Sequence, residues 1–298
     1  MAAAKGDGPP LTPYAQEVFT VFGLSVTNSM IASLILAVFL ALMAWLSTRK
    51  IQMVPSGLQN FVEFVVESLE NVMSDLLEPR VVRWVFPFIA TFFIFILAAN
   101  LSALIPGVGS IGYISSPSDQ TFLGIPLGYV DLPLYRPPTA DANMTAAMAT
   151  IFFFACWYWT FKYNGFVGTI AHIFAPKGGF KGLAWAGLLP IFIFIGVLEL
   201  ISILIRPVAL AARLYGNIFG GENVLTIMLT LNSSDAWSFW GAVLLNCLSA
   251  FPFYFLELLV ATVQTLVFTL LCLAFTTSLC SHVGGDDHDD HGKEASAA

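Results

Sequence analysis

Two apolar stretches near the C-terminus, residues 185–232 and 236–281, are each close to double the length that a membrane span requires. A spanning helix takes about 20 apolar residues, whereas a straight helix of either length would run roughly 70 Å against a hydrocarbon core of about 30 Å. Ordinary tilt does not absorb that excess. Dividing each stretch into two spans would need a polar turn midway, and the sequence supplies only Pro207 and Pro252 there, residues that kink a helix but rarely reverse it. The two stretches are therefore expected to form a hairpin of long helices, steeply tilted in the membrane and turning at residues 232–235. A surface laid along the membrane plane suits sliding past a partner.

The remainder of the chain fits that setting, since 57% of its 298 residues are hydrophobic and 10% charged, too apolar for a soluble domain. After an N-terminal segment, 1–25, residues 26–48 form a first span closed by Arg49 and Lys50. Residues 57–78 place Leu58, Phe61, Val65, Leu69, Val72 and Leu76 at helical spacing, with Glu63, Glu67, Glu70 and Asp75 among the polar positions. That is an amphipathic helix lying at the interface rather than a span. Further spans are expected at 85–105 and at 144–161, the latter preceded by a loop of about 35 residues rich in Gly, Pro and Ser. The fold class is an all-α membrane protein with five membrane-embedded helices and one amphipathic interfacial helix. The acidic stretch 282–298 reads as a disordered tail; His282, His288, His291 and its aspartates would bind a metal weakly at best.

Charge fixes an expected topology. Of twelve Lys and Arg, seven fall in segments assigned to the inside and two, Lys5 and Arg136, to the outside, as the positive-inside rule requires. The N-terminus is expected outside and the C-terminus in the cytoplasm. The first residues resemble neither a cleavable signal nor a transit peptide, which favours an unprocessed chain in a bacterial plasma membrane. Cations this sparse exclude nucleic acid as a partner. The four cysteines sit in apolar runs without a CxxC pair, suited to packing, and no cofactor or metal pattern is present.

The chemistry concentrates in residues 199–220, ELISILIRPVALAARLYGNIFG. Two arginines stand in an apolar segment, although a guanidinium stays protonated under ordinary conditions and is expensive at a bilayer centre. At 100° per residue, Glu199, Ser202, Arg206, Ala209, Arg213, Asn217 and Gly220 fall within about 40° of a common direction, a single polar and small-residue stripe. On the second long helix Asn246, Glu257 and Gln264 share a face, while Glu222 projects from the side opposite Arg213. Singly, Ser202, Asn217, Asn246 and Gln264 are as well explained by interhelical hydrogen bonds. Intramembrane Glu and Arg are functional candidates by default. Arg206 precedes a proline and is expected to be a boundary residue that snorkels toward headgroups; Arg213, two turns deeper, has no such exit. A carboxyl group holds its proton in lipid and gives it up beside a fixed guanidinium. If the acid belongs to a moving partner, Arg213 strips its proton and blocks a proton wire from running straight through.

On these residues the chain resembles subunit a of the F-type ATP synthases. The similarity rests on RLYGN at 213–217 followed by GGEN, ELLVATVQ at 257–264, NLSALIP at 100–106 and PTADANMT at 138–145, and it extends over residues 20–281. It implies that Arg213 faces the carboxylate of a rotating c-ring. It further implies that Glu222, Glu257, Asn217 and Gln264 line a half-channel open to the outside, with Glu199 and Ser202 toward the inside one. The implied partners are the c-ring, peripheral-stalk subunit b, other ATP synthase subunits and the lipid bilayer. Ala103 departs from members with an aspartate there, and Glu257 from members with histidine. The rival reading, a self-contained secondary transporter, expects internal repeats with paired broken helices, and no second copy of the arginine-bearing hairpin exists. An intramembrane hydrolase is weaker still, because residues 185–281 hold no histidine and one aspartate, Asp235.

Overall fold

A computed structural model describes residues 15–76, 79–105, 108, 112–113, 121–122, 125–126, 132–174, 183–230 and 239–280. The expected turn at 232–235 and the tail 282–298 lie outside the described residues.

Six α-helices carry the fold: α1 (Asn28–Thr48), α2 (Leu58–Ser74), α3 (Pro79–Ala103), α4 (Ala142–Phe174), α5 (Leu183–Thr230) and α6 (Phe239–Cys280). Five are long and apolar enough to cross a membrane, and α2 is the exception. The chain is an all-α membrane protein. Helix α2 follows Gly57, whose φ of 60° is the left-handed conformation open to glycine. Leu69 and Met73 of α2 are buried while Glu67, Glu70 and Asp75 face outward, the one-sided burial expected of an amphipathic helix.

Two features differ from the sequence expectation. The third span starts at Ala142 and its helix continues to Phe174, interrupted at Gly165 with φ 71° and ψ 167°. Glycine alone accepts that backbone at little cost, so an apolar run reads through what is a break. The N-terminal segment contains a hairpin, β1 (Glu17–Val21) and β2 (Leu24–Thr27). Its two turn residues, Phe22 and Gly23, have φ of 51° and 82°, the paired positive values of a tight hairpin turn. Phenylalanine is not a turn signal, so periodicity and turn chemistry pass over it. Short strand pairs in the loop after α3 join β3 (Gly112–Tyr113) to β6 (Leu132–Pro133) and β4 (Thr121–Phe122) to β5 (Ile125–Pro126).

Helices α5 and α6 pack antiparallel. Ser249 Oγ donates to the Met228 carbonyl at 3.2 Å, the side chains of residues 217 and 264 meet at 2.7 Å, and Arg206 lies over Phe275. These pairs keep one register for most of the length. The hairpin is backed by α3 and α4. Phe92 stacks near Phe268 with centroids 6.5 Å apart, and Phe88 meets Trp159 edge-on at 5.2 Å. Asn100 on α3 donates to the Ala261 carbonyl and to Thr265 Oγ1 of α6, at 3.2 and 3.0 Å. Thr265, Thr269 and Thr276 are buried, and each hydroxyl bonds the carbonyl four residues back. That return bond satisfies the donor inside the helix, so a polar residue is buried without needing a neighbour.

At one end of the bundle, Lys162 Nζ lies 4.1 Å from the Trp84 ring centroid and Arg49 Cζ 5.1 Å from that of Trp45. Cations resting on aromatic faces near helix ends are typical of a membrane boundary. At the other end, the turn Pro138–Ala140 leads into Asp141, which caps α4. Its Oδ1 accepts from the Asn143 amide at 3.1 Å and its Oδ2 from Ser29 Oγ of α1 at 2.7 Å. Replacing Asp141 by Ala removes the cap and strands the Ser29 hydroxyl. It is expected to cost about 1–3 kcal/mol, read as a lower unfolding midpoint in detergent; an unchanged midpoint would show the contact to be incidental.

Candidate functional site

The exposure pattern of α5 decides where its charges sit. Ile203, Leu210, Leu214 and Ile218 are buried at spacings of seven and four and turn toward the bundle. The stripe roughly a quarter-turn away, carrying Ser202, Ala209, Arg213, Asn217 and Gly220, is exposed. Arg213 is therefore presented outward from the hairpin by the packing of Leu214 beside it.

Two open cavities lie along this helix pair. One, of about 440 Å³, is lined on α5 by residues from Leu198 to Arg213, including Ser202, Arg206 and Ala209, and on α6 by Leu271 and Phe275. The other, of about 300 Å³, is lined by Gly216, Asn217, Gly220, Gly221, Val224 and Leu225 of α5 with Phe253, Leu256, Glu257 and Val260 of α6. They share no lining residue. Arg213 ends the first, and Gly216, one turn on, begins the second. Beside the junction Asn217 Nδ2 donates to Gln264 Oε1 at 2.7 Å, tying α5 to α6. Gln264 is buried, and its Nε2 has no hydrogen-bond partner.

Glu257, the single charge on α6, is buried and reaches into the second cavity. Its carboxyl group rests on Gly221: a methyl group added at that Cα would overlap both carboxylate oxygens and their carbon. Glu222, on the far side of α5 from Arg213, is half-buried, and its Oε2 is buried without a hydrogen-bond partner. It lies within electrostatic reach of Glu257 and of Arg136. Two carboxyl groups and a guanidinium thus converge at this end of the hairpin.

Most of the stripe read from sequence is brought together: Ser202 and Arg213 on the first cavity, Asn217 and Glu257 on the second, and Gln264 at the junction. Glu199 is half-buried one turn beyond Ser202, and Asn246 is half-buried three turns from Glu257; neither lines these cavities. Arg206 is half-buried within the apolar stretch Ile193–Met228, with Cζ 4.9 Å from the Phe275 ring centroid, an aromatic face that favours a cation.

Arg136 and Gly221 were missed. Arg136 counted as a loop cation, yet it is buried, with Nη2 donating to the Ala140 carbonyl at 3.2 Å. The two prolines after it and the Asp141 cap were the available signal, because they stiffen this connection. Gly221 could have been suspected from its neighbour Glu222 in a double-glycine run, but its contact with residue 257 is long-range.

Comparison with known proteins agrees with this arrangement. The family model described as the ATP synthase A chain matches residues 30–277. The ATP synthase subunit a of Trichlorobacter lovleyi is 32% identical over 248 residues, 83% of this chain and 85% of that protein. ATP synthase subunit a 3 of Pelobacter propionicus is 34% identical over 242 residues, 81% and 82% of the two chains. The subunit a of Moorella thermoacetica is 27% identical over 259 residues, 87% of this chain and 93% of its own. A matched region running from α1 into the last turn of α6, and therefore holding all of α5 and nearly all of α6, places this chain in the ATP synthase A chain family.

Proposed function

We propose that this chain is the proton-translocating stator subunit of a bacterial F-type ATP synthase, with two offset half-channels and Arg213 facing the carboxylate of a rotating c-ring. The observation that carries this reading is the pair of cavities that approach each other at Arg213 and share no residue. A continuous pore would dissipate the gradient. Two cavities without a shared lining residue would make a proton leave one, travel on another subunit, and enter the other.

The roles follow from position. Glu222 and Glu257, with Asn217 and Gln264, form the half-channel open to the outside and load the ring carboxylate. The cavity of Ser202, continued by Glu199, receives the proton released when the carboxylate meets Arg213. Asn246 extends the outer path toward the end of α6. Arg213 carries no proton itself; its fixed charge favours the ionised acid and prevents a direct proton wire. Each charge crossing about 100 mV supplies roughly 2.3 kcal/mol, which the ring converts to torque. Nucleotide chemistry belongs to other subunits, so this chain is non-catalytic.

Glycines support the close approach of a ring helix. A Cβ at Gly216 or Gly220 would meet nothing within 4 Å, so packing within this chain does not require either one. Both stand beside Arg213 on the exposed side, where they give clearance to a passing helix. The tilted hairpin then lies against the c-ring, and subunit b together with lipid covers other apolar faces. The chain sits in the inner membrane with its N-terminus outside and its C-terminus in the cytoplasm.

Two substitutions test this reading. Arg213→Ala in the assembled complex is expected to reduce proton-driven ATP synthesis to background; retained synthesis would overturn the role. Gly221→Ala pushes the Glu257 carboxyl group off its seat and is expected to lower the synthesis rate about tenfold, equivalent to ~1.4 kcal/mol, without loss of assembly. Subunit content checked beside the rate separates the two effects, and a wild-type rate would show that Glu257 does not work from that seat.

A further inference from the structure

Arg206 is absorbed neither by packing nor by the roles above. Its guanidinium stands between two spaces. On one side it lines the open cavity that ends at Arg213. On the other it lines a narrow apolar pocket of about 20 Å³ between α4, α5 and α6, together with Trp157. Among the described residues, Arg206 Nη1 and Trp157 Nε1 are both buried without an acceptor. A void of this size holds about one water molecule, which can accept from two donors. The Phe275 ring, 4.9 Å away, completes the surroundings.

Among the described residues, the charged and titratable groups around it are few. Along α5, Arg213 lies seven residues one way and Glu199 seven residues the other, each roughly 10 Å along the axis. Glu199 is half-buried and outside the lining of the open cavity. Helix α4 brings the thiol of Cys156 to the narrow pocket and Tyr163 lies about two turns further on. Helix α6 offers Phe275 and Leu279, with the thiol of Cys272 behind them, and its carboxylate Glu257 is at the other cavity. An aromatic ring holds a guanidinium in place without cancelling its charge. The cavity beyond Arg213 is therefore lined by two fixed cations and no carboxylate.

We propose that Arg206 is a positioning residue for proton release: a second fixed cation of the inner half-channel that drives protons freed at Arg213 out toward the cytoplasm. This rests on the reading of the cavity as the inner half-channel. A positive potential there lowers the local proton concentration, so the ring carboxylate unloads against a more acidic cytoplasm and reloads from it less readily. Removing the charge reverses both effects. Synthesis then needs a more alkaline cytoplasmic side, and ATP-driven pumping, which takes up protons from that side, persists to higher pH.

The test uses proteoliposomes of the intact complex with the ATP-forming side facing the bath. ATP synthesis and ATP-driven proton pumping are measured against bath pH at a clamped membrane potential, each profile scaled to its own maximum so that assembly level drops out. For Arg206→Gln both profiles are expected to move alkaline by about one pH unit, the Coulomb effect of one charge at ~10 Å in an effective dielectric of ~20. Arg206→Lys, which restores the charge, restores the wild-type profile. Ser202→Asp adds a counter-charge one turn away while keeping Arg206 and gives the same alkaline shift. If Arg213→Ala is inactive while the Arg206→Gln and Ser202→Asp profiles coincide with wild type, this inference fails alone. If Arg213→Ala still synthesises ATP, the functional reading fails instead.

Discussion

A guanidinium cannot escape the membrane by giving up its proton, so whatever surrounds Arg213 has to be built to tolerate a permanent charge. The chain meets that constraint by geometry rather than by pairing. Leu210, Leu214 and Ile218 are buried against the bundle, which rotates Arg213 to the outer face of the hairpin at the end of an open cavity. A carboxylate of the same chain placed against it would neutralise the charge and leave nothing to act on a partner. The carboxylates of α5 and α6 are kept elsewhere, with Glu222 on the opposite side of its helix and Glu257 in the other cavity.

The rest of the bundle makes this arrangement stiff. Lipid tails give helices no hydrophobic reason to associate, so close packing and internal hydrogen bonds must hold them. Three buried threonines of α6 close their hydroxyls onto their own helix, leaving its inner side smooth for α3 and α4. Asn100 spends its amide on Ala261 and Thr265. A helix fixed in this way cannot rotate, and the face carrying Glu257 and Gln264 is set with it. Glycine in a helix interior costs about 1 kcal/mol relative to alanine in water. The double glycine at 220–221 accepts that cost, and Gly221 returns it as the seat of the Glu257 carboxyl group.

The long helices, the amphipathic α2 and the stripe with Arg213 were legible because each is a periodic or compositional signal within one segment. Unusual length alone led to the hairpin. What escaped depends on contacts distant in sequence. The contact of Arg206 with Phe275, 69 positions away, leaves no trace in helical periodicity. Arg136 looks like a loop cation until the turn Pro138–Ala140 folds against α5 and buries it. The break at Gly165 escaped for a different reason: a glycine in an apolar run is equally compatible with a continuous helix and with a left-handed kink. Glu199 and Asn246 show the limit of helical phase, which gives the correct face but not how far a cavity extends along it.

On the proposed function, the length of α5 and α6 follows from the same requirement. Two half-channels that approach one charged residue without joining would be displaced along a common surface, and a helix just long enough to cross the bilayer has too few turns to line both. Here the first cavity draws on residues 198–213 of α5 and the second on residues 216–225, together about 28 residues, or roughly 42 Å of helix. That exceeds the hydrocarbon thickness of about 30 Å, so on this reading a tilted pair would keep both cavities at membrane depth. The tether at the junction also has to be polar. Asn217 and Gln264 lock α5 to α6 at one register, whereas an apolar contact there would hold the helices together but let them slide past each other, and a slip of one turn would bring Arg213 level with the wrong cavity.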